Sequence, residues 1–460
     1  MNARHPSQDP GLPPGQRPGP HPGPHPGPLR RRGPRPLLLH LMLAGMRHGA
    51  TPAAMLGAMQ AAMTHASSSA SSTDSTQSSN AWSTWSAPRW SSADAAARAR
   101  RIQDGLAAAG ADPTTLSGAV LAELLRQDAA LIAGIAAYRR HPYTRTLADP
   151  PSLWAEGSSR LLDYGATHPA AASGPPILVV PSLVNRAHVL DLTEGGSFLR
   201  FLAARGLRPL LLDWGWPGEA ERRFDLTDVI AGRLERALAA SAAIAAGPVI
   251  LAGYCMGGLL GLAAAQRRPD LVCGVAALAT PWDFHAADAA RAKSAAMLLP
   301  LLEPAMAFHD AVPVDGLQIL FTALDPWGVA AKFRAFGRLA QDSPRARLFV
   351  ALEDWLADGI PLAAPVARDC IGGWYGRNEP ARRAWTVAGQ VVDPRSIAVP
   401  AFVAVPGRDR IVPPESARPL AGLIPGAVLH EPAAGHIGMV AGGGAEAALW
   451  RPFADWAQGL

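Results

Sequence analysis

The sequence predicts an α/β protein built on a doubly wound, mostly parallel sheet, with a cap insertion and a helical N-terminal region. From Gly174 onward, short apolar runs bounded by turn residues alternate with helical segments, which is the pattern of buried parallel strands joined by helices. The run that begins at Val249 leads through a glycine-rich turn straight into a helical segment. Apolar residues make up 49% of the 460-residue chain, which is enough for a sizeable core.

A tail of 36 residues, rich in proline, glycine and arginine, opens the chain. Residues 1–36 hold six arginines and one aspartate, and therefore the whole formal net charge of +5, while the other 424 residues hold equal numbers of acidic and basic side chains. A nucleic-acid-binding domain needs surplus positive charge on its folded surface, so we expect no nucleic-acid partner. Because the tail has few apolar residues to bury, we expect it to be disordered, with polyproline character.

Residues 37–93 combine an amphipathic helix with a linker. The helix is predicted over 37–63, where leucine and methionine recur at helical spacing. The serine-rich linker over 64–93 contains three tryptophans, Trp82, Trp85 and Trp90. They either dock on an apolar surface or pack on the protein's own domain, and the sequence leaves both open.

The apolar run that follows the arginines resembles a signal peptide. It lacks a small-residue cleavage site, so we expect an amphipathic helix and a cytoplasmic protein rather than an exported one. No apolar run in the chain reaches the roughly 18 residues that a membrane span needs. We therefore expect no transmembrane segment.

Two larger regions follow, 94–162 and 163–460. Helical spacing from Asp94, a suitable N-cap, to about Leu162 predicts a helical N-terminal region. The second region contains the predicted strands, which lie near Ile177–Val180, Pro209–Leu212, Val249–Ala252, Val272–Ala279, Val399–Val405 and Val428–Leu429. The alternation of strands and helices lapses over about 285–395. Since ligands bind at the carboxyl ends of the strands in such sheets, we expect this insertion to cap the active site.

The most specific motif is Gly253-Tyr254-Cys255-Met256-Gly257, placed between a predicted strand and a predicted helix. It has the form of the G-x-S-x-G nucleophile elbow with cysteine in place of serine. The glycines relieve a strained turn, and the N-terminus of the following helix stabilises a thiolate. The three cysteines (Cys255, Cys273 and Cys370) are spaced too widely for a disulfide framework or a zinc site. We therefore predict that Cys255 is a nucleophile and that the other two belong to the core.

Two partners are expected on later loops, in the order nucleophile, acid, histidine. Asp409 follows the predicted strand Val399–Val405, and His436 follows Val428–Leu429. In this arrangement His436 takes the thiol proton and Asp409 orients the imidazole. An oxyanion hole needs two backbone N–H donors, for which we select the residue after the nucleophile, Met256, and Val184 in the loop after the first parallel strand.

From about Trp154 to the C-terminus the sequence resembles the polyhydroxyalkanoate synthase family of the α/β-hydrolase superfamily. Ordered short motifs carry the resemblance: Pro181-Ser182-Leu183-Val184-Asn185, Asp213-Trp214-Gly215-Trp216-Pro217, Gly253-Tyr254-Cys255-Met256-Gly257-Gly258, Thr280-Pro281-Trp282-Asp283-Phe284, Gly376-Arg377-Asn378-Glu379, Ile411-Val412-Pro413 and Gly435-His436-Ile437. The sequence departs from the family at Arg410, where members commonly have histidine, and residues 1–93 have no recognised counterpart.

The resemblance implies an α/β-hydrolase fold over 163–460 and an acyltransferase that polymerises 3-hydroxyacyl-CoA into a polyester. CoA is released through a covalent thioester on Cys255, with Asp409 and His436 completing the triad and Met256 and Val184 holding the oxyanion. The CoA thioester is a substrate, so no cofactor or metal is expected. The implied partners are the acyl-CoA, the growing polyester and the surface of a polymer granule in the cytoplasm, and a homodimer is left open.

Two other functions remain open at the level of sequence. One is a thiol-dependent α/β hydrolase that cleaves esters or thioesters, although enzymes of that type are compact and lack so long an insertion. The other is a non-catalytic granule-binding protein that coats polymer through residues 37–93. Release of free 3-hydroxy acid without polymer would indicate the hydrolase, and full function of Cys255→Ala would indicate the binding protein.

Overall fold

An eight-stranded sheet forms the centre of the computed structural model, which describes Arg31 and residues 33–48, 93–110, 113–324 and 326–460. Its strands in chain order are β1 (Ser152–Glu156), β2 (Ser159–Asp163), β3 (Pro176–Val180), β4 (Arg208–Asp213), β5 (Val249–Tyr254), β6 (Val272–Leu278), β7 (Ala401–Ala404) and β8 (Val428–His430). Across the sheet the order is β1-β2-β4-β3-β5-β6-β7-β8. Every pairing from β4 to β8 is parallel, whereas β2 pairs with β1 and with β4 in antiparallel fashion. The six strands predicted from apolar runs are thereby confirmed.

Both faces of the sheet are covered, which explains why its central strands are apolar throughout. All six residues of β5 are buried. Along β3, Ile177 and Val179 pack into one core cluster while Leu178 and Val180 pack into the other, as the two-residue period of a strand requires. A strand buried on both sides reads as a continuous apolar run.

Helices on the two faces close the core. The helices are α1 (residues 37–48), α2 (Ala93–Ala108), α3 (Pro113–Arg140), α4 (Phe198–Ala204), α5 (Glu235–Ala245), α6 (Met256–Arg267), α7 (Ala289–Ala296), α8 (Leu299–His309), α9 (Val314–Leu324), α10 (Gly328–Phe336), α11 (Pro344–Ala357), α12 (Ala364–Arg368), α13 (Pro414–Ala417), α14 (Pro419–Leu423), α15 (His436–Ala441) and α16 (Arg451–Gln458). Helices α5 and α6 pack on one face of the sheet, and α4 and α16 pack on the other. No helix within the described ranges is long and apolar enough to cross a membrane.

The cap occupies the interval between β6 and β7, where the alternation of strands and helices lapses. It contains α7 to α12 and a π-helix, Asp369–Gly376. A short antiparallel pair, Ala311–Val312 with Leu362–Ala363, joins its two halves. The cap reaches the main domain through Trp355, whose indole N–H donates to the carbonyl of Arg186 (2.7 Å).

The predicted helical region 94–162 is correct only as far as Arg140. Beyond it the chain is extended, and β1 and β2 form a hairpin that adds two strands to the sheet. Pro142 disfavours a helical backbone at His141, directly after the last helical residue, and Pro150 and Pro151 lack the N–H groups that a further helix would need. Gly157, at φ 55°, then supplies the tight turn between the two strands.

The predicted tail ends earlier than residue 36. Arg31 pairs with Asp354, and residues 37–48 form the start of the predicted helix 37–63. Composition alone does not reveal that an arginine of this segment is held by a carboxylate on the cap helix α11. Residues 1–30, residues 49–63 of the predicted helix and residues 64–92 of the tryptophan-containing linker lie outside the described residues.

Candidate active site

Cys255 lies at the sharp turn between β5 and α6. Its backbone adopts φ 57° and ψ −125°. This conformation is rare for residues with a side chain and costs about 1–3 kcal/mol. The Cys255 N–H donates to the carbonyl of Leu278 on β6 (2.8 Å), which holds the turn against the sheet. The half-buried thiol therefore stands at the carboxyl edge of the sheet and at the N-terminus of α6.

Glycines on both sides of the nucleophile make this turn possible. A Cβ on Gly253 would lie 2.4 Å from the carbonyl oxygen of Gly257. A Cβ on Gly257 would lie 2.1 Å from the carbonyl oxygen of Val180, the last residue of β3. Both distances are far inside van der Waals contact. The elbow can approach β3 only because these two side chains are absent.

Asp409 and His436 meet on neighbouring loops. Asp409 follows β7, and His436 is the first residue of α15, which follows β8. The His436 Nδ1 and Asp409 Oδ2 atoms are 2.6 Å apart, and both side chains are buried. The other carboxylate oxygen of Asp409 accepts hydrogen bonds from the backbone N–H groups of Ile411 (2.8 Å) and Val412 (2.9 Å). These bonds fix the carboxylate in the orientation that faces the imidazole.

The imidazole of His436 faces the carboxylate of Asp409 and lines the same pocket as Cys255. Burial alone would lower the pKa of His436, but the negative charge of Cys255 and the hydrogen bonds to Asp409 and Cys255 raise that pKa to about 10. The phenol of Tyr254 donates to the backbone carbonyl of His436 (3.2 Å), which helps to hold His436 in place. The site therefore favours the protonated imidazolium form of His436.

Two other histidines close to the site in sequence are engaged elsewhere. The Nε2 atom of His285 lies 2.8 Å from the carbonyl oxygen of Tyr375. The Nε2 atom of His430, at the end of β8, lies 2.6 Å from the carbonyl oxygen of Ala448. Neither imidazole is the hydrogen-bond partner of Cys255.

The other two cysteines lack the surroundings of a nucleophile. Cys370 is buried and Cys273 is half-buried. Burial raises the pKa of both thiols, so both favour the unreactive protonated form. Cys255 is the cysteine that combines a pocket with a neighbouring imidazole.

The two predicted oxyanion donors differ in their hydrogen bonding. Met256 opens α6, and the N–H of the first helical residue has no acceptor within the helix. The N–H of Val184 instead donates to the hydroxyl of Ser182 (3.2 Å), and its carbonyl accepts from Ile360 of the cap (3.2 Å). Val184 can hold an oxyanion only after its N–H leaves the Ser182 hydroxyl.

A cavity of about 380 Å³ lies over these residues. Its floor includes Cys255 and His436, and its walls come from α9, α10 and α11 of the cap and from the N-terminal segment. The apolar side chains that line it include Val184, Val189, Phe321, Val329, Trp355, Leu356, Ile411 and Ile437. Its size and lining suit a mostly apolar small molecule held with one end at the thiol.

Tyr375 is a neighbour of the site that no sequence motif singled out. Burial and the negative charge of Cys255 raise the pKa of its phenol, which therefore stays neutral. Asn378 ties this part of the cap to the loop after β6: its side-chain N–H donates to Asp283, and its side-chain oxygen accepts from the N–H of Phe284, both at 2.9 Å. Asn378 belongs to one of the motifs that carry the resemblance, and Asp283 and Phe284 belong to another. Their shared link to one family was the sequence signal that these two motifs lie side by side.

The model of the alpha/beta hydrolase fold family matches residues 175–442, which is more than half of the chain. The chain belongs to the alpha/beta hydrolase fold family. The match extends from just before β3 to just past α15. It therefore includes the elbow, both partner loops and the cap insertion of this alpha/beta hydrolase.

Curated relatives confirm the resemblance to polyhydroxyalkanoate synthases. The chain is 29% identical over 310 residues to the poly(3-hydroxyalkanoate) polymerase subunit PhaC of Allochromatium vinosum, covering 66% of this chain and 87% of the relative. It is 27% identical over 314 residues to PhaC of Haloferax mediterranei, covering 66% of this chain and 62% of the relative. Among solved structures, a thermophilic esterase from Thermogutta terrifontis is 18% identical with a TM-score of 0.40, covering 68% of this chain and 98% of the esterase.

Proposed function

We propose that this protein is an acyltransferase that polymerises 3-hydroxyacyl-CoA into a polyester with release of CoA. The observation that carries the proposal is a thiol, rather than a hydroxyl, on the nucleophile elbow, in the same pocket as the His436–Asp409 pair. Exchange between a thiol and a thioester is nearly balanced in energy, and a thiolate leaves readily when a hydroxyl attacks. A cysteine therefore suits an enzyme that holds an acyl chain and then passes it on. The names of the curated relatives agree with this activity.

Acylation begins at the thiolate of Cys255. Its sulfur attacks the thioester carbonyl of the acyl-CoA, and the resulting oxyanion is held by the N–H groups of Met256 and Val184, the second once released from Ser182. The C–S bond to CoA then breaks, and His436 gives its proton to the CoA sulfur. Asp409 keeps Nδ1 of the imidazole occupied, so Nε2 faces the sulfur.

Elongation uses the same groups in the reverse direction. The neutral His436 takes the proton of a 3-hydroxyl group, whose oxygen attacks the carbonyl of a thioester. An ester bond forms, the C–S bond breaks, and the departing thiolate recovers the proton from His436. Each turn adds one hydroxyacyl unit and releases one CoA, and the apolar pocket provides a dry place for the acyl chain.

The proposal is tested with the purified full-length protein and 3-hydroxybutyryl-CoA. We expect CoA release together with an insoluble polyester, and loss of both in Cys255→Ala. Cys273→Ala is the matched control because it removes a thiol outside the pocket, and it is expected to retain activity. CoA release with free 3-hydroxy acid and no polymer would identify a hydrolase. Absence of both CoA release and polymer, with granule binding intact in Cys255→Ala, would identify a non-catalytic granule-binding protein.

A further inference from the structure

A segment before the main domain forms part of the wall of the active-site pocket. It consists of Arg31 and residues 33–40, and we call it the strap. Gly33, Pro34, Arg35 and His40 of the strap line the same cavity as Cys255. His40 is 4% exposed, and its Nε2 lies 3.3 Å from the carbonyl oxygen of Arg35, so its imidazole is packed rather than solvated.

One end of the strap is fastened by Arg31. Its guanidinium contacts both carboxylate oxygens of Asp354 on α11 (2.7 and 2.6 Å) and donates to the carbonyls of His141 and Tyr143. The phenol of Tyr138 donates to the same carboxylate (2.8 Å). Two-pronged arginine–carboxylate contacts of this kind are both strong and specific in orientation. The strap is thereby held across the cap rather than lying loosely on it.

The other end is fastened by α1. Ala44 is buried in a cluster with the cap helices α10 and α11 and with α3. Arg47 pairs with Asp128 of α3 (2.5 Å). Between the two ends, Arg35 pairs with Asp315 of α9. Contacts on both sides of residues 33–40 fix their position relative to the pocket.

We propose that the strap is a wall of the acyl-binding pocket and limits the length of the acyl group that reaches Cys255. Its inner residues occupy volume that a longer chain would otherwise fill, and in an apolar pocket one methylene changes selectivity about 10–200-fold. The naming of the ligand as a 3-hydroxyacyl group rests on the proposed function. The steric limit at Cys255 does not depend on that function.

The direct test labels Cys255 in the full-length protein with alkyl methanethiosulfonates that carry methyl, butyl or octyl groups. The Cys255 thiolate attacks the sulfenyl sulfur, a disulfide to the alkyl group forms, and methanesulfinate leaves with the bonding electrons. The labelling rate of Cys255 is followed by mass spectrometry of the peptide that contains it. This distinguishes labelling of Cys255 from labelling of Cys273 and Cys370.

His40 provides a pair of opposite variants. His40→Ala enlarges the pocket, and the ratio of octyl to methyl labelling is expected to rise about tenfold or more. His40→Trp fills the pocket, and the ratio is expected to fall. His168→Ala is the control: it removes an imidazole that neither lines the pocket nor belongs to the strap, and it should leave the ratio unchanged. Arg31→Ala, which unfastens the strap, should act like His40→Ala.

Equal ratios in wild type, His40→Ala, His40→Trp and Arg31→Ala would overturn the proposal. Circular dichroism and urea midpoints establish that each variant is folded, and a variant that fails this check leaves the other two to decide. The outcome is separable from that of the polymer assay. A shifted labelling ratio without polymer would support the steric role of the strap and refute the proposed synthase. Polymer formation with an unshifted ratio would support the synthase and refute the role of the strap. If both hold, the ratio of kcat/KM for 3-hydroxyoctanoyl-CoA over 3-hydroxybutyryl-CoA moves in the same direction as the labelling ratio.

Discussion

His436 is buried between two groups that favour its charged form, and its titration reports on both. Its ordinary pKa of 6.5 is raised to about 10. The stabilisation that this shift brings to the folded protein is complete below pH 6.5 and is lost as the pH rises through 10. We expect Asp409→Asn to lower the pKa of His436. The difference in unfolding free energy between wild type and this variant should then shrink from pH 6.5 to 10.

Histidine NMR measures the titration, and urea unfolding at several pH values measures the stability difference. Cys255→Ala should also lower the pKa of His436, because it removes the neighbouring negative charge. His168→Ala provides the control for assignment, since His168 is remote from the pocket lining. An unchanged His436 titration in both active-site variants would contradict the arrangement of charges described above.

Gly257 and Gly261 lie on the same helix, but we expect their replacement by alanine to change the stability of the protein differently. At Gly257 the added Cβ would meet the carbonyl of Val180 at 2.1 Å, whereas at Gly261 its nearest neighbour is Leu251 at an ordinary 3.6 Å. We expect Gly257→Ala to lower the unfolding free energy by about 1–3 kcal/mol or more and to slow alkylation of Cys255. Gly261→Ala should be neutral or stabilising by up to about 1 kcal/mol. Urea unfolding compares the two, and equal stabilities would show that the elbow does not need its glycine.

Which residues of the site could be predicted depended on where they lie relative to the strands. Cys255, Asp409 and His436 each follow an apolar run that forms a parallel strand, and the carboxyl ends of parallel strands meet at one edge. The bond between Val184 and Ser182 was beyond such reasoning, because a loop's internal hydrogen bonds leave no periodic pattern. Tyr375 was missed for a similar reason: it lies on a π-helix inside the cap, which has no strand to mark its position.

At the scale of elements, the extended chain after α3 is held by a buried charge. Asp191 is fully buried and accepts from Arg145 (3.0 Å), Arg200 (2.8 Å) and the phenol of Tyr164 (3.0 Å). Asp191→Ala would leave two arginines without their carboxylate, and we expect it to lower the unfolding free energy by about 3–5 kcal/mol. Glu219→Ala breaks an exposed pair and should leave stability unchanged. Equal changes of unfolding free energy in the two variants, measured by urea unfolding, would show that Asp191 does not hold this segment.

Some strands have a clear apolar pattern in the sequence, and others do not. The parallel strands β3 to β7 were predicted to within two residues at each end, because burial on both faces produces uninterrupted apolar runs. The hairpin of β1 and β2 was missed. It lies at the edge of the sheet, where β1 is largely exposed and its apolar residues are too few to distinguish a strand from a helix.

At the scale of the whole molecule, the described contacts of the site lie within Arg31–Leu460, which forms one compact unit. We expect removal of residues 1–30 to leave CoA release unchanged within experimental error, whereas removal of residues 1–48 also removes the strap and should favour longer acyl groups. Steady-state kinetics with short and long acyl-CoA substrates compares the two deletions. Loss of activity on removing residues 1–30 would show that the tail takes part in the reaction.

The proposed polymerase activity requires a polyester chain that is carried by the thiol of Cys255. Mass spectrometry of the Cys255 peptide after brief incubation with 3-hydroxybutyryl-CoA tests this most directly. We predict a ladder of adducts on Cys255, each longer by one hydroxybutyryl unit, with no ladder in Cys255→Ala. Adducts limited to one unit with accumulation of free acid, or turnover that persists in Cys255→Ala, would contradict the proposed polymerase.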